Sequence, residues 1–254
     1  MSSVSSEPEK ARYPSLGPPW QVVLNTIGAF LFSQLIAVFL VSLGYGLVHP
    51  HTRDVASSIN NSIAAQFFFV LLAEGLAALF AVWLVRRRRL NLSVIGLGRR
   101  PRITDARLAV LGFLSVYALL VIANLIIGIF SPQINNQKQN LGFNNISTGS
   151  QNILAFMALV IVPPLGEEPL VRGFLYSGLR RWWRFWPAAL ATSFLFGVAH
   201  LEFGSGGPLV WGAAIDTFLL SIVLVFLRER TGALYAGMAV HMLNNLIAFF
   251  VVIK

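Results

Sequence analysis

The chain opens on 19 polar and proline-rich residues (MSSVSSEPEKARYPSLGPP) and then becomes a succession of long apolar runs divided by short polar ones. A helix needs about 20 mostly apolar residues to cross a bilayer. Runs of that size lie at 20–48, 63–85, 107–130, 151–179, 186–203, 209–227 and 231–253. The pattern predicts an all-α polytopic transmembrane helix bundle of about seven spans. The opening segment lacks an apolar h-region, so residues 1–19 read as a disordered cytoplasmic tail rather than a signal peptide. Residues 20–150 then make an N-terminal three-span membrane region and 151–254 a C-terminal membrane core. The Asn/Gln-rich stretch 134–145 reads as a solvated connector.

Composition sharpens this picture. Hydrophobic residues make up 56% of the chain, charged residues only 11%, and mean hydropathy is +0.71. A soluble domain carries roughly 25% charged residues, so a water-facing surface is excluded. There is no cysteine, which removes disulfides, thiolate metal sites and cysteine nucleophiles. The net charge of +9 is mostly arginine, and its distribution is asymmetric. Sixteen of the 19 basic residues fall on alternate loops and the N-terminal tail, while Arg53, Lys138 and Lys254 are left for the other face. Basic residues concentrate on the cytoplasmic side, which predicts a cytoplasmic N-terminus in a multi-pass protein of the plasma membrane, with anionic lipids as partners. The run RRWWRFW at 180–186 interleaves arginine with aromatics beside a span end, as interfacial anchors do. It therefore gives no reason to expect a nucleic acid partner.

Polar residues inside the spans carry the candidate chemistry. A charge at a helix centre costs about 2.5–3.5 kcal/mol on insertion scales, several times what one leucine returns. The spans nevertheless contain Glu74, Glu167, Glu168, Arg172, His200, Asp216 and His241, with Asn244 and Asn245 beside the last. Glu74 and Asp216 stand apart and read as bundle-facing hydrogen-bonding groups. In PPLGEEPLVRG (163–173), Glu168 and Arg172 are i and i+4 neighbours that can pair, while Glu167 is rotated by about 100° and left free. Pro163, Pro164 and Pro169 predict a kink or break here, with Pro169 in the first turn of a second helical piece. In FGVAH (196–200), Phe196 and His200 share a face; in HMLNN (241–245), so do His241 and Asn245. Counted from the nearest arginine-rich loop at 1.5 Å per residue, Glu167, His200 and His241 lie at depths of roughly 20, 24 and 17 Å. Three helices thus bring a carboxylate, two imidazoles and an amide into one layer.

Two chemistries fit this set. A desolvated carboxylate beside neutral imidazoles can deprotonate a water, and the amide and imidazoles can hydrogen-bond the oxyanion formed when that water adds to a peptide carbonyl. Two histidines and a glutamate are equally a zinc ligand set with an open position, making His200 and His241 candidate ligands of a divalent metal. Spacing alone does not choose between them.

The ordered motifs E-E-x-x-x-R (Glu167, Glu168, Arg172), F-x-x-x-H (Phe196, His200) and H-x-x-x-N (His241, Asn245) resemble the CAAX protease and bacteriocin-processing (CPBP, Abi) family of intramembrane metalloproteases. The resemblance covers about 152–250. It implies an intramembrane endopeptidase, CAAX prenyl protease-like or peptide-processing, acting on a peptide or lipidated protein substrate. Glu167 would activate water, Glu168 and Arg172 would support it, and His200, His241 and Asn245 would bind metal or stabilise the oxyanion. Two positions depart from the family pattern: Pro169, where a helix-compatible apolar residue is expected, and Val171, where phenylalanine is common. The competing readings are a proton- or ion-coupled transporter, since intramembrane ionisable groups commonly mark ion pathways, and a catalytically silent membrane scaffold.

Overall fold

A computed structural model describes residues 13–135, 137, 142–143, 146–201 and 209–252, and the regular elements among them are all helical. Seven helices form the body: α1 (Pro19–Val48), α2 (Ile63–Arg87), α3 (Ile103–Phe130), α4 (Gly149–Arg180), α5 (Phe185–Ala199), α6 (Trp211–Thr231) and α7 (Tyr235–Val252). Five are long and apolar enough to cross a membrane, and α5 and α7 are shorter apolar helices. They correspond one for one to the seven predicted runs. Large apolar side chains lie exposed along α1 (Leu24, Leu31, Leu35, Phe39) and α3 (Val110, Leu114, Val121, Leu125). Such a belt would aggregate in water and is matched by lipid, so the chain is an integral membrane protein. Trp182, Trp183 and Trp186 are also exposed, as interfacial anchors are.

The helix ends follow local chemistry. Asp54 caps the short helix Val55–Asn60 and Ser62 caps α2, as short polar side chains do for orphan N–H groups. Asp105, in the first turn of α3, accepts the Arg102 N–H at 2.8 Å and pairs with Arg99 at 2.6 Å, which lets this helix start at Ile103 rather than 107. Thr148 and Gln151 form a capping box at the start of α4. Gly232 ends α6 in the left-handed region at φ 68°, a conformation that favours glycine, so α7 begins only at Tyr235.

α4 is the most buried helix and α3 the least. One stripe of α1 (Val22, Thr26, Ala29, Ser33, Ala37, Val41) is small or short enough for close packing on Ala73, Ala77 and Ala81 of α2. Small residues are what let helices approach in lipid, where no hydrophobic force drives them together. α2 in turn packs on α4, α5 packs on α6, and α3, α6 and α7 form a second group.

Two expectations need correction. Of the kink or break expected at the prolines the break is absent, since Glu168 and Pro169 both keep right-handed helical angles; Pro169 does open a new helical stretch, and α4 widens twice into π-helical turns, at Met157–Ile161 and Pro169–Leu175. A proline removes one N–H donor, and a wider turn absorbs that loss without leaving the helix. Nor is the whole of 1–19 a free tail. Residues 1–12, like most of the 134–145 connector, lie outside the described residues, but Tyr13 and Leu16 are fully buried.

What holds this opening segment is a polar clamp at the arginine-rich end of the bundle. Tyr13 and Tyr176 each donate to Glu229 Oε2 at 2.6 Å, and Arg180 pairs with Glu229 Oε1 at 3.2 Å. Arg228, almost fully buried, donates to the Val94 carbonyl at 2.8 Å and to Ser177 Oγ at 3.2 Å. Trp182 Nε1 donates to the Gly17 carbonyl at 2.8 Å. Glu229→Ala leaves two tyrosine hydroxyls and a buried guanidinium without this acceptor, a loss of about 1–3 kcal/mol. The exposed Arg230→Ala should stay within about 0.5 kcal/mol. Thermal unfolding in detergent checks both, and equal melting temperatures for the two variants would refute the clamp.

Candidate active site

The site grows from the local consequences of three prolines. In α4 the Val162 N–H bonds back five residues to the Met157 carbonyl. Continuing that pattern would need donors from Pro163 to residue 158 and from Pro164 to Leu159, and neither proline has one. In an α-helical register Pro163 would equally fail Leu159. The orphaned Leu159 carbonyl is met from another helix, by Asn245 Nδ2 of α7 at 3.0 Å. This is the partner that places Asn245, rather than Asn244, against α4.

Further along α4, Glu168 and Arg172 are completely buried and pair at 3.0 Å, as the i, i+4 spacing predicts. The same Glu168 oxygen meets His241 Nδ1 at 3.0 Å. A carboxylate accepts and does not donate, so the Nδ1 proton belongs to this bond, and in the neutral imidazole Nε2 is then the acceptor. That Nε2 faces Glu167 Oε2 at 3.6 Å. Two acceptors turned toward each other are satisfied by a shared donor such as a water. Glu167 is the half-buried member of the set, with 17% of its side chain exposed. The expected division, one carboxylate paired and the other available, is the arrangement found.

Phe196 of α5 has a larger part than packing on its own helix. Its ring lies 4.5 Å from the His200 ring and 6.0 Å from the His241 ring, and the Arg172 guanidinium sits over it with Cζ 4.1 Å from the centroid. A cation over an aromatic face in a desolvated site is worth about 2 kcal/mol. The ring therefore spaces both imidazoles and covers the charge between them. His200 is the residue that ends α5, and its Nδ1 bonds the Phe196 carbonyl at 2.8 Å. A carbonyl only accepts, so Nδ1 of His200 carries the proton of this bond and Nε2 is left outside it.

Close backbone approach makes the grouping possible. A Cβ on Gly237, one turn before His241, would lie 3.3 Å from Glu168 Oε2. A Cβ on Gly166 would lie 2.5–2.6 Å from three atoms of Glu74 on α2, an approach only glycine permits. Glu74, read from sequence as a generic bundle group, thus stands beside the residue preceding Glu167. Nothing in its own surroundings in sequence signals this. Asp216 is exposed on α6, where its charge acts on Tyr117 of α3.

Glu167, Glu168, Arg172 and His241 are therefore brought together directly, His200 through the Phe196 ring, and Asn245 is tied to α4 at the Leu159 carbonyl. The donor types for a metal are present, yet among the described residues no three His, Asp or Glu side chains are grouped to hold one.

The same stretch of chain is the part that matches known proteins. Residues 149–247 match the family model of type II CAAX prenyl endopeptidases, Rce1-like. The CAAX endopeptidase-like segment thus begins with α4 and carries every motif residue from Glu167 to Asn245. The chain is also 33% identical over 92 residues to an uncharacterised 24.3 kDa protein of Escherichia coli, covering 35% of this chain. It spans about 40% of the length of that curated relative. No solved structure matches it.

Removing one member of the buried pair should be costly and removing both much less so. Arg172→Met alone leaves Glu168 with an uncompensated charge, a destabilisation of about 3–5 kcal/mol. Adding Glu168→Gln should recover a large part of it. Unfolding of the two single variants and the double variant measures the coupling, and additive losses would show that the pair is not one unit.

Proposed function

We propose that the chain is an intramembrane endopeptidase that hydrolyses a peptide bond with water activated by Glu167. The observation that carries this reading is the half-buried Glu167 carboxylate 3.6 Å from an imidazole nitrogen whose ring is fixed from behind by the buried Glu168–Arg172 pair. The match of 149–247 to the family model of CAAX prenyl endopeptidases supports the same chemistry.

In this mechanism a water donates to Glu167 and to a neutral imidazole nitrogen. Glu167 takes one proton as the water oxygen adds to the scissile carbonyl carbon, and the carbonyl oxygen becomes an oxyanion. The second Nδ2 proton of Asn245, beyond the one used by Leu159, is the oxyanion donor. Collapse breaks the C–N bond, and the proton held by Glu167 leaves with the amine. Glu168 and Arg172 touch no reacting atom; they fix the tautomer and tilt of His241. His200, with its free Nε2, orients the water or the substrate amide.

The substrate class that fits is a peptide or lipidated protein reaching the site from the membrane, of the CAAX or peptide-processing kind. The reading includes a plasma-membrane location with the arginine-rich face, and so the clamp, in the cytoplasm. The chain has no cysteine, so single cysteines test this cleanly. One replacing exposed Arg100 should be shielded from impermeant thiol reagents in intact cells, and one replacing exposed Ser57 should be labelled; the opposite result reverses the orientation.

Catalysis is tested by comparing membrane and released peptides, by mass spectrometry, between cells making the wild-type chain and Glu167→Gln at equal levels. Products should fall by about 100- to 10,000-fold in the variant, with His200→Ala and His241→Ala similarly affected. Identical peptide profiles would remove the protease reading and leave the scaffold or transport readings. Turnover that resists chelators keeps Glu167 as the sole activator of water. Turnover lost to chelation and restored by zinc would instead make His200 and His241 metal ligands.

A further inference from the structure

Glu74 is a buried carboxyl that the mechanism so far does not use. It lies on α2, outside the 149–247 segment, with 9% of its surface exposed. No hydrogen bond or ion pair joins it to another described residue, and the charged group that acts on it is Glu167. Its Oε2, Cβ and backbone oxygen all press on the space above Gly166 Cα, within 2.6 Å of where a Cβ would stand. The elements that pack on this part of α2 bring no cation to it: α1 holds no Asp, Glu, Lys, Arg or His, nor does the stretch 149–161 of α4. Arg172 is committed to Glu168 and the Phe196 ring.

A carboxylate in the bilayer interior without a cation or a set of donors is far costlier than the protonated acid. Glu74 therefore keeps its proton, and a protonated carboxyl is a hydrogen-bond donor. The neighbouring acceptor that gains most from a donor is the carboxylate of Glu167, the residue after Gly166, whose Oε2 has no hydrogen-bond partner among the described residues.

We infer that Glu74 is a positioning residue of the active site: as a neutral acid beside Gly166, it donates to Glu167 and holds that carboxylate toward His241. The inference rests on the reading of Glu167 as the base. It means that α2 contributes a working part to a site whose other members all come from the matched segment. Gly166 then has a specific purpose, since any side chain there would push Glu74 away from its neighbour.

The test separates donation from packing. Glu74→Gln keeps a donor of the same shape, and Glu74→Met keeps the volume without the donor. In purified, detergent-solubilised full-length protein, Glu74→Gln should retain most of the wild-type kcat. Glu74→Met should lose about 10- to 100-fold in kcat at nearly unchanged KM. Equal kcat for Glu74→Met and wild type, or equal losses for the two variants, would overturn the inference. Infrared spectroscopy at neutral pH gives a readout that needs no substrate. A protonated-carboxyl stretch should be present in the wild-type chain and absent from Glu74→Gln, and a spectrum unchanged by the substitution would also overturn it. Should the wild-type chain cleave nothing while that band behaves as expected, the protease reading falls and the neutral state of Glu74 stands.

Discussion

The Glu168 carboxylate is the point on which this structure turns. Two opposite charges removed from both water and lipid headgroups are tolerable only with close geometry on every side. Here that geometry comes from three helices: Arg172 from α4 itself, His241 from α7, and the Phe196 ring of α5 laid over the guanidinium. Because the charges must be matched, the helices that carry their partners have little freedom to slide. The position of α7 fixed by His241 is the one that brings Asn245 to the Leu159 carbonyl, and the position of α5 fixed by Phe196 is the one that sets His200. An uncharged core of the same volume could be more stable, but it would not hold an imidazole in one tautomer with one nitrogen turned toward Glu167.

The three prolines of α4 work in the same direction. In a soluble helix, missing N–H donors would be made good by water. In a bilayer each freed carbonyl has to find a partner inside the protein. Pro163 and Pro164 create such a need at Leu159, and only a donor from another helix can meet it. The proline pair thus converts a local defect into a cross-helix bond to a residue of the site. Pro169 acts differently, because the π-helical turn that follows it absorbs the missing donor while keeping Glu168 and Arg172 at 3.0 Å. Adjacent carboxylates on a helix lie about 100° apart around its axis, which is how one is buried in a pair and the other is left partly open.

Much of this was legible in the sequence, and for a definite reason. Span number, span limits and the pairing of Glu168 with Arg172 follow from hydropathy and from i, i+4 geometry, both of which are local. The common depth of Glu167, His200 and His241 also follows from counting residues, because a bilayer gives every helix the same reference plane. What could not be read were relations between helices that no local pattern encodes. Pro169 suggested a break because a proline's lost donor is visible in sequence and the turn that absorbs it is not. Tyr13 and Leu16 looked like part of a tail because the acceptor for Tyr13 lies on Glu229, more than two hundred residues away. Glu74 looked like any polar group in a bundle because the glycine that receives it is on another helix.

That last relation bears on why the matched segment comes with three further helices. Taken alone, α4 would turn Gly166 and one side of Glu167 toward lipid, where a carboxylate is costly and a glycine surface attracts any neighbouring helix. α2 covers that side, and its alanine stripe lets α1 support it from behind. At the other end, α1 begins directly after the segment held by Tyr13 and Gly17, which ties it to α4, α6 and the loop between α4 and α5 through Glu229 and Trp182. The first two helices are therefore anchored at the arginine-rich end and pressed against the site at its depth. A cover attached in this way does more than exclude lipid: it fixes what stands next to Glu167, and so belongs to the description of the site as much as the motifs do.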